Sequence, residues 1–352
     1  MSRRALVPTV LTLVFAVIAV SAAGWILRRD AERSGQLETA LTSTATHPDR
    51  AGTEKQPDAP VAPTAFSTPQ LRFAPYEPPS GETYVNGKRL AGRVGQRLAT
   101  FPPRASIREL TRALVAAGGR RAELDGTVAP LLDPERRSAG EVLFVQLSGV
   151  TATTFGAMVI VRQHFEDAAG IREEVVRVMD VRLRRTDGPW SVDRIASVGG
   201  TAVQRPANVS PAEARVLDHP NIQLPDTARW DIHRGGIDDG LLVALADAAD
   251  RWPIAVTVLR TGHPRYVWAT DRESAHASGY AADVYAVNGR LVQRQRESRS
   301  NAERLAAALL AGGARQVGSP WNLRPGDRRS FTDRVHQDHV HLQQTPSPRP
   351  RR

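Results

Sequence analysis

An unbroken uncharged run from Ala5 to Leu27, bracketed by Arg3–Arg4 and Arg28–Arg29, constrains this chain before any other feature does. A run of that length crosses a hydrocarbon core as a helix, because about 20 apolar residues at the helical rise span roughly 30 Å. Residues 1–29 are therefore read as a membrane anchor and set apart from any water-soluble core. A cleaved signal peptide is the competing reading, with Ala19-Val20-Ser21 as its small-residue cleavage site. The run outlasts an ordinary signal core and ends on two arginines, which favours an uncleaved anchor. Arginines on both flanks leave the orientation undecided by positive charge alone.

Residues 30–82 read as a linker. From His47 to Ser80 it is punctuated by Pro48, Pro57, Pro60, Pro63, Pro69, Pro75, Pro78 and Pro79 among small and charged residues, too few of them large and apolar to form a core. What remains is long enough for two domains. The chain has no cysteine, which excludes disulfides and thiolate metal sites and leaves His, Asp and Glu to hold any metal. The net charge of +10 is carried almost wholly by arginine, with Lys55 and Lys88 the only lysines. That usage fits the codon bias of a GC-rich genome. No arginine stripe is interleaved with aromatics, so no nucleic-acid partner is expected.

Residues 83–205 read as an α+β accessory module. Ser106-Ile107-Arg108-Glu109 is a capping-box pattern, and Ile107, Leu110, Ala113 and Leu114 follow at helical spacing. Runs at 142–147, 157–163 and 174–183, then 190–195 after the turn Thr186-Asp187-Gly188, are rich in β-branched residues. In the third run Arg177, Met179, Val181 and Leu183 alternate with Val176, Val178, Asp180 and Arg182, which is strand spacing. An antiparallel meander with a helix on one face fits this order. No catalytic constellation stands out in it, and the lone His164 is read as structural.

Residues 217–344 read as a second domain, followed by a basic tail at 345–352. A helix is expected over 240–252, strands over 254–259 and 281–287, and a hairpin turned by Asn288-Gly289 into 290–292. A helix over 301–310 and short strands at 314–317 and 339–342 complete a small, mainly antiparallel sheet.

Two segments of this domain carry chemistry. Ser274-Ala275-His276-Ala277-Ser278-Gly279-Tyr280-Ala281-Ala282-Asp283 puts a His and an Asp seven positions apart across a loop entering a strand, and His336-Gln337-Asp338-His339-Val340-His341 gathers three histidines. Two histidines and one carboxylate leave a tetrahedral zinc one open position, the pattern of a catalytic site. Residues two apart on a strand share a face, so His339 and His341 reach one pocket while Asp338 and Val340 face away.

These segments resemble the zinc D-alanyl-D-alanine peptidases, whose Ser-x-His-x-x-Gly-x-Ala-x-Asp signature is matched from Ser274 to Asp283. His-x-Asp-His-x-His is similar to the penicillin-insensitive murein endopeptidases, which share the hedgehog/DD-peptidase type of fold. The resemblance covers roughly residues 237–344. It implies that His276, Asp283 and His341 hold Zn2+, with His339 contacting the reacting water or tetrahedral intermediate and His336 nearby. The carboxypeptidase branch carries an acid three positions before its last ligand histidine, a place held here by Asp338, so the general base is His339 or Asp338. Arg260, at a strand end, is the candidate for a substrate carboxylate or oxyanion. Ser274 and Gly279 are candidates for orienting a ligand and for a backbone bend; His263 and Tyr280 are left without a role.

The implied function is a membrane-anchored zinc metallopeptidase, single-pass in the plasma membrane with its bulk extracytoplasmic, acting on peptidoglycan peptides. A cell-surface binding or scaffold protein that keeps a zinc domain without activity is the alternative.

Overall fold

A computed structural model describes residues 69–116 and 127–347. The expected anchor, most of the linker and the end of the tail lie outside the described residues. Among the described residues no helix is long and apolar enough to cross a membrane.

The first half is built on a four-stranded antiparallel meander of β1 (Arg137–Val150), β2 (Thr154–Glu166), β3 (Arg172–Arg184) and β4 (Ser191–Ser197), paired in sequence order. Helix α1 (Val85–Leu98) lies on one face of it and α2 (Ile107–Ala116) follows. The capping box of α2 forms as its sequence implies: Ser106 N–H donates to the Glu109 carboxylate at 2.8 Å, and Glu109 N–H to Ser106 Oγ at 3.3 Å. Helix α1 was not foreseen, because Gly87, Gly92 and Gly95 weaken helix propensity. Its close packing explains those glycines. A Cβ at Gly87 would lie 2.9 Å from the Phe155 ring, and one at Gly95 2.9 Å from Val159.

Residues 69–82, read as linker, belong to this fold. Tyr76 N–H donates to Gln96 Oε1 at 2.9 Å, Gln96 Nε2 donates to the Ala74 carbonyl at 2.8 Å, and the Tyr76 ring sits where a Cβ on Gly92 would be, 2.1 Å away. The prolines keep the segment extended, and α1 supplies the partners that composition alone does not display.

The second half has helices α3 (Pro211–Leu217), α4 (Asp226–His233), α5 (Asp239–Ala249) and α6 (Asn301–Ala311) around a mixed sheet. Its strands are β5 (Ile222–Gln223), β6 (Ile254–Val258), β7 (Ala281–Val287), β8 (Arg290–Leu291), β9 (Gln316–Gly318), β10 (Ser330–Phe331) and β11 (Val340–Gln343). The order is β10-β9-β11-β7-β6-β5 with β8 on β7, antiparallel throughout except for the β10/β9 and β5/β6 pairs. The expected Asn288-Gly289 turn joins β7 to β8, both residues at positive φ, 51° and 71°. An α+β architecture is thus present in both halves.

Each half keeps its own apolar core, one around Phe155, Met179 and Leu183, the other around Leu245, Ile254 and Leu305. All described residues nonetheless belong to one compact unit. The alternation of β3 supplies the reason. Met179, Val181 and Leu183 face α1, while Val178 joins Met158 of β2 and Val258 of β6 in a third cluster between the sheets. Phe144 of β1 stacks on Tyr285 of β7 at 4.9 Å between centroids. In the first turn of α4, the Asp226 carboxylate and Thr227 hydroxyl accept from Val176 and Val178 N–H, satisfying backbone donors on that stretch of β3.

Candidate metal centre

The site is assembled where β7 and β11 pair. His341 and Asp283 are directly opposite in the ladder, so their side chains rise from the same face as close neighbours. On the other side of His341 stands Gly318 of β9, and a Cβ there would lie 2.7 Å from the His336 ring; glycine leaves that ring its room.

His276 arrives on the loop between β6 and β7. Its backbone N–H donates to Ser274 Oγ at 3.3 Å. Gly279 makes the return bend at φ 77°, so close to the neighbouring loop that a Cβ would stand 2.1 Å from the Gly236 carbonyl oxygen. His276 Nδ1 donates to the Leu259 carbonyl at 2.8 Å. Because a carbonyl only accepts, Nδ1 carries a proton, and Nε2 is the ring atom turned to the other donors.

Three donor atoms converge there. His276 Nε2 is 3.2 Å from His341 Nδ1 and 3.3 Å from Asp283 Oδ1, and His341 Nδ1 is 2.9 Å from the same Oδ1. Burial pushes the His341 imidazole down to about 4, outweighing its bond to Asp283, so the ring is neutral at ordinary pH. Burial alone would raise the Asp283 carboxyl, yet His276, His339 and His341 hold it well below the usual range, as a carboxylate.

His263 is a fourth histidine beside the group. Its donor atom, with those of His276 and Asp283, falls within a set spanning 4.8 Å that could hold a metal ion. Its ring, however, stacks on His276 at 3.9 Å and 13° between planes, so the two rings aim side by side and not at one point. His341 is inclined to His276 by 53° and converges with it. The donor atoms of His276, Asp283 and His341 lie closer together, within 3.3 Å, and the His263 ring backs that of His276. Stacking of this kind leaves no trace in sequence spacing.

His339 Nε2 approaches Asp283 Oδ2 at 3.8 Å, and its Nδ1 donates to Asp338 Oδ1 at 2.7 Å. Burial alone would depress the His339 pKa; Asp283 and Asp338 raise it instead. Asp338 is 1% exposed and fully engaged, since its Oδ2 accepts from Lys88 Nζ at 2.5 Å and from Leu147 N–H at 2.9 Å. It is thereby held down to about 2, Lys88 and His339 overcoming the effect of burial. Of the two candidate bases, His339 has the free ring nitrogen and Asp338 has no free oxygen. Asp338 positions His339.

His336 sits at the rim, donating to Asp333 Oδ1 at 2.8 Å, its ring 5.0 Å from His339 and 5.5 Å from His341. Arg260 is not brought to the group. It is exposed and lines an adjoining groove with Arg234, Gly236 and Asp238, and the Asp231 carboxylate accepts from the backbone N–H of residues 260 and 261. The arginines lining the histidine cleft are Arg272 and Arg315. The cleft encloses about 560 Å³ and is walled by Trp268, Tyr266 and Phe331.

No family model, curated protein or solved structure matches this chain.

The geometry also identifies contributors that the sequence reading passed over. Lys88 is 0% exposed and bonds both Asp338 and Glu82, the latter at 2.6 Å. Gln146 Nε2 donates to Asp283 Oδ2 at 2.7 Å, and its Oε1 accepts from the Thr257 hydroxyl. Both come from the half in which no constellation stood out. The one available signal was that Lys88 is a lysine in a chain that otherwise uses arginine almost throughout.

Proposed function

We propose that this chain is a zinc metallopeptidase of the hedgehog/DD-peptidase type, hydrolysing peptide bonds of peptidoglycan stem peptides or cross-links and held at the plasma membrane by its N-terminal run. The observation that carries the reading is the triangle of His276 Nε2, Asp283 Oδ1 and His341 Nδ1, with sides of 2.9 to 3.3 Å. Donors about 2.0–2.1 Å from a tetrahedral ion stand roughly 3.3 Å apart, so the triangle fits zinc without rearrangement. Two imidazoles and one carboxylate are a donor set zinc favours, and three protein ligands leave a position open. Zinc held there supplies Lewis acidity toward a peptide carbonyl and acidifies a coordinated water.

The chain's own groups do the rest. His339 Nε2 faces the site and is the proton carrier: it accepts a proton as the nucleophile attacks and delivers it to the leaving amine. Asp338 keeps the Nδ1–H tautomer of His339 and shares the charge the ring gains. Arg272 and Arg315 offer a carboxylate of the substrate an anchor, the part first given to Arg260. Trp268 and Tyr266 wall one side of the cleft.

The test is the purified chain with zinc and defined muropeptides, beside His276→Ala and His341→Ala. Loss of both metal and cleavage in the variants is the expected result. Cleavage that survives loss of the metal would overturn the reading. A fully metallated protein that cleaves no muropeptide would favour the binding-protein alternative.

A further inference from the structure

We propose that Gln146, in β1 of the four-stranded sheet, is a positioning residue for the metal ligand Asp283, so that the accessory half completes the metal site and is not a separate recognition module. The inference rests on the metal-site reading above. Gln146 is fully buried and 137 positions from Asp283 in the chain. Its amide orientation follows from chemistry: a carboxylate only accepts, so the NH2 end faces Asp283 Oδ2, at 2.7 Å, and Oε1 faces the Thr257 hydroxyl, which donates to it.

The consequence lies in the two oxygens of Asp283. Oδ2 is held by Gln146, which leaves Oδ1 turned to His276 Nε2 and His341 Nδ1, at 3.3 and 2.9 Å. Without that tether the carboxylate is free to rotate about Cβ–Cγ and pair with His339, whose Nε2 already stands 3.8 Å from Oδ2. A neutral amide suits this task better than a lysine or arginine, because a cation at the same place would compete with the metal for the carboxylate's charge. Partners that orient a ligand without touching the metal commonly account for 10–100-fold in affinity.

A purely structural role for Gln146, bridging the two sheets through Asp283 and Thr257, predicts lost stability but unchanged metal binding. The experiment separates the two. Zinc affinity of the full chain is measured by chelator competition for wild type, Gln146→Leu, Thr257→Val and Leu183→Ala, with thermal melting of each. Leu183 is buried in the core on the α1 side of the same module and serves as the control for destabilisation alone. Gln146→Leu should weaken zinc binding 10–100-fold. Thr257→Val, which keeps the amide but frees it to turn, should weaken binding less and carries the test if Gln146→Leu does not fold. Leu183→Ala should melt earlier with affinity within about twofold of wild type. Wild-type affinity in Gln146→Leu, or in Thr257→Val where only that variant folds, would overturn the proposal and leave the metal site standing, as would a loss no larger than that of Leu183→Ala. A wild-type chain that binds no zinc would remove the site reading and this proposal together.

Discussion

Lys88 Nζ stands 2.5 Å from Asp338 Oδ2, tying the first helix of the fold to the histidine-rich segment near its end, with both side chains shut away from water. The contact spans 250 positions of chain. It also shares one cation between two carboxylates, since Glu82 takes a second proton of the same ammonium at 2.6 Å. Breaking a buried pair leaves an uncompensated charge, which costs more than the pair contributes as a whole.

Lys88→Met should therefore destabilise the protein by about 3–5 kcal/mol, the range for a buried ion pair broken on one side. The triple variant Lys88→Met, Glu82→Gln, Asp338→Asn removes all three charges and should recover most of that loss. Urea unfolding of the two proteins checks this; equal stability of both would mean the cluster is better hydrated than the geometry implies.

Acid unfolding of the metal-free protein follows from the carboxylates. Asp338 is held down to about 2 in the fold, and Asp283 is also lowered, so each contributes stability that is complete above the ordinary aspartate pKa of 3.8 and lost as pH falls through the folded value. For Asp338 the lost contribution is about 2 kcal/mol over that window. Glu82 acts in the opposite sense: burial raises its carboxyl, so its contribution is complete below 4.5 and lost as pH rises. Urea midpoints should fall between about pH 4 and pH 2, and more shallowly in Asp338→Asn than in wild type.

Zinc should stabilise the fold by mass action, since the triangle of donors exists only in the folded chain. At 1,000 times its dissociation constant a ligand adds about 4 kcal/mol. Calorimetric melting with and without zinc should show the shift in wild type and none in His276→Ala.

Gly279→Ala tests the bend that carries His276. The position has positive φ, and the new methyl would meet a backbone oxygen that cannot swing aside, at 2.1 Å. Loss of about 1–3 kcal/mol is expected from the overpacking, together with weaker zinc binding because the loop must move. An unaltered zinc affinity would show that the loop relaxes away from His276.

The local signals in the sequence carried far. The capping box at Ser106 and Glu109, the alternation of β3, the Asn288-Gly289 turn and the helix before Gly312 each depend on residues within a few positions of one another, and each appears in the fold. The helix Val85–Leu98 and the anchored segment before it did not announce themselves, because their glycines and prolines read as breakers until the sheet and the Tyr76 ring they pack against are in place. Arg260 lines the adjoining groove and not the histidine cleft. A strand end specifies where a backbone stops, not which groove its last side chain lines.

By itself the sequence singled out His276, Asp283 and His341, which lie in two short segments and which the fold brings within 3.3 Å of one another. Only the tertiary structure decided what holds them in place and which atoms beside them are already engaged. Asp338 and His339 are adjacent in the chain, and their roles separate only because Lys88 and Leu147 occupy the aspartate's second oxygen. Hydrogen-bond capacity is filled by whatever the fold brings within about 3 Å, and the partners of the second oxygens of Asp338 and Asp283 come from a helix and a strand far away in the chain.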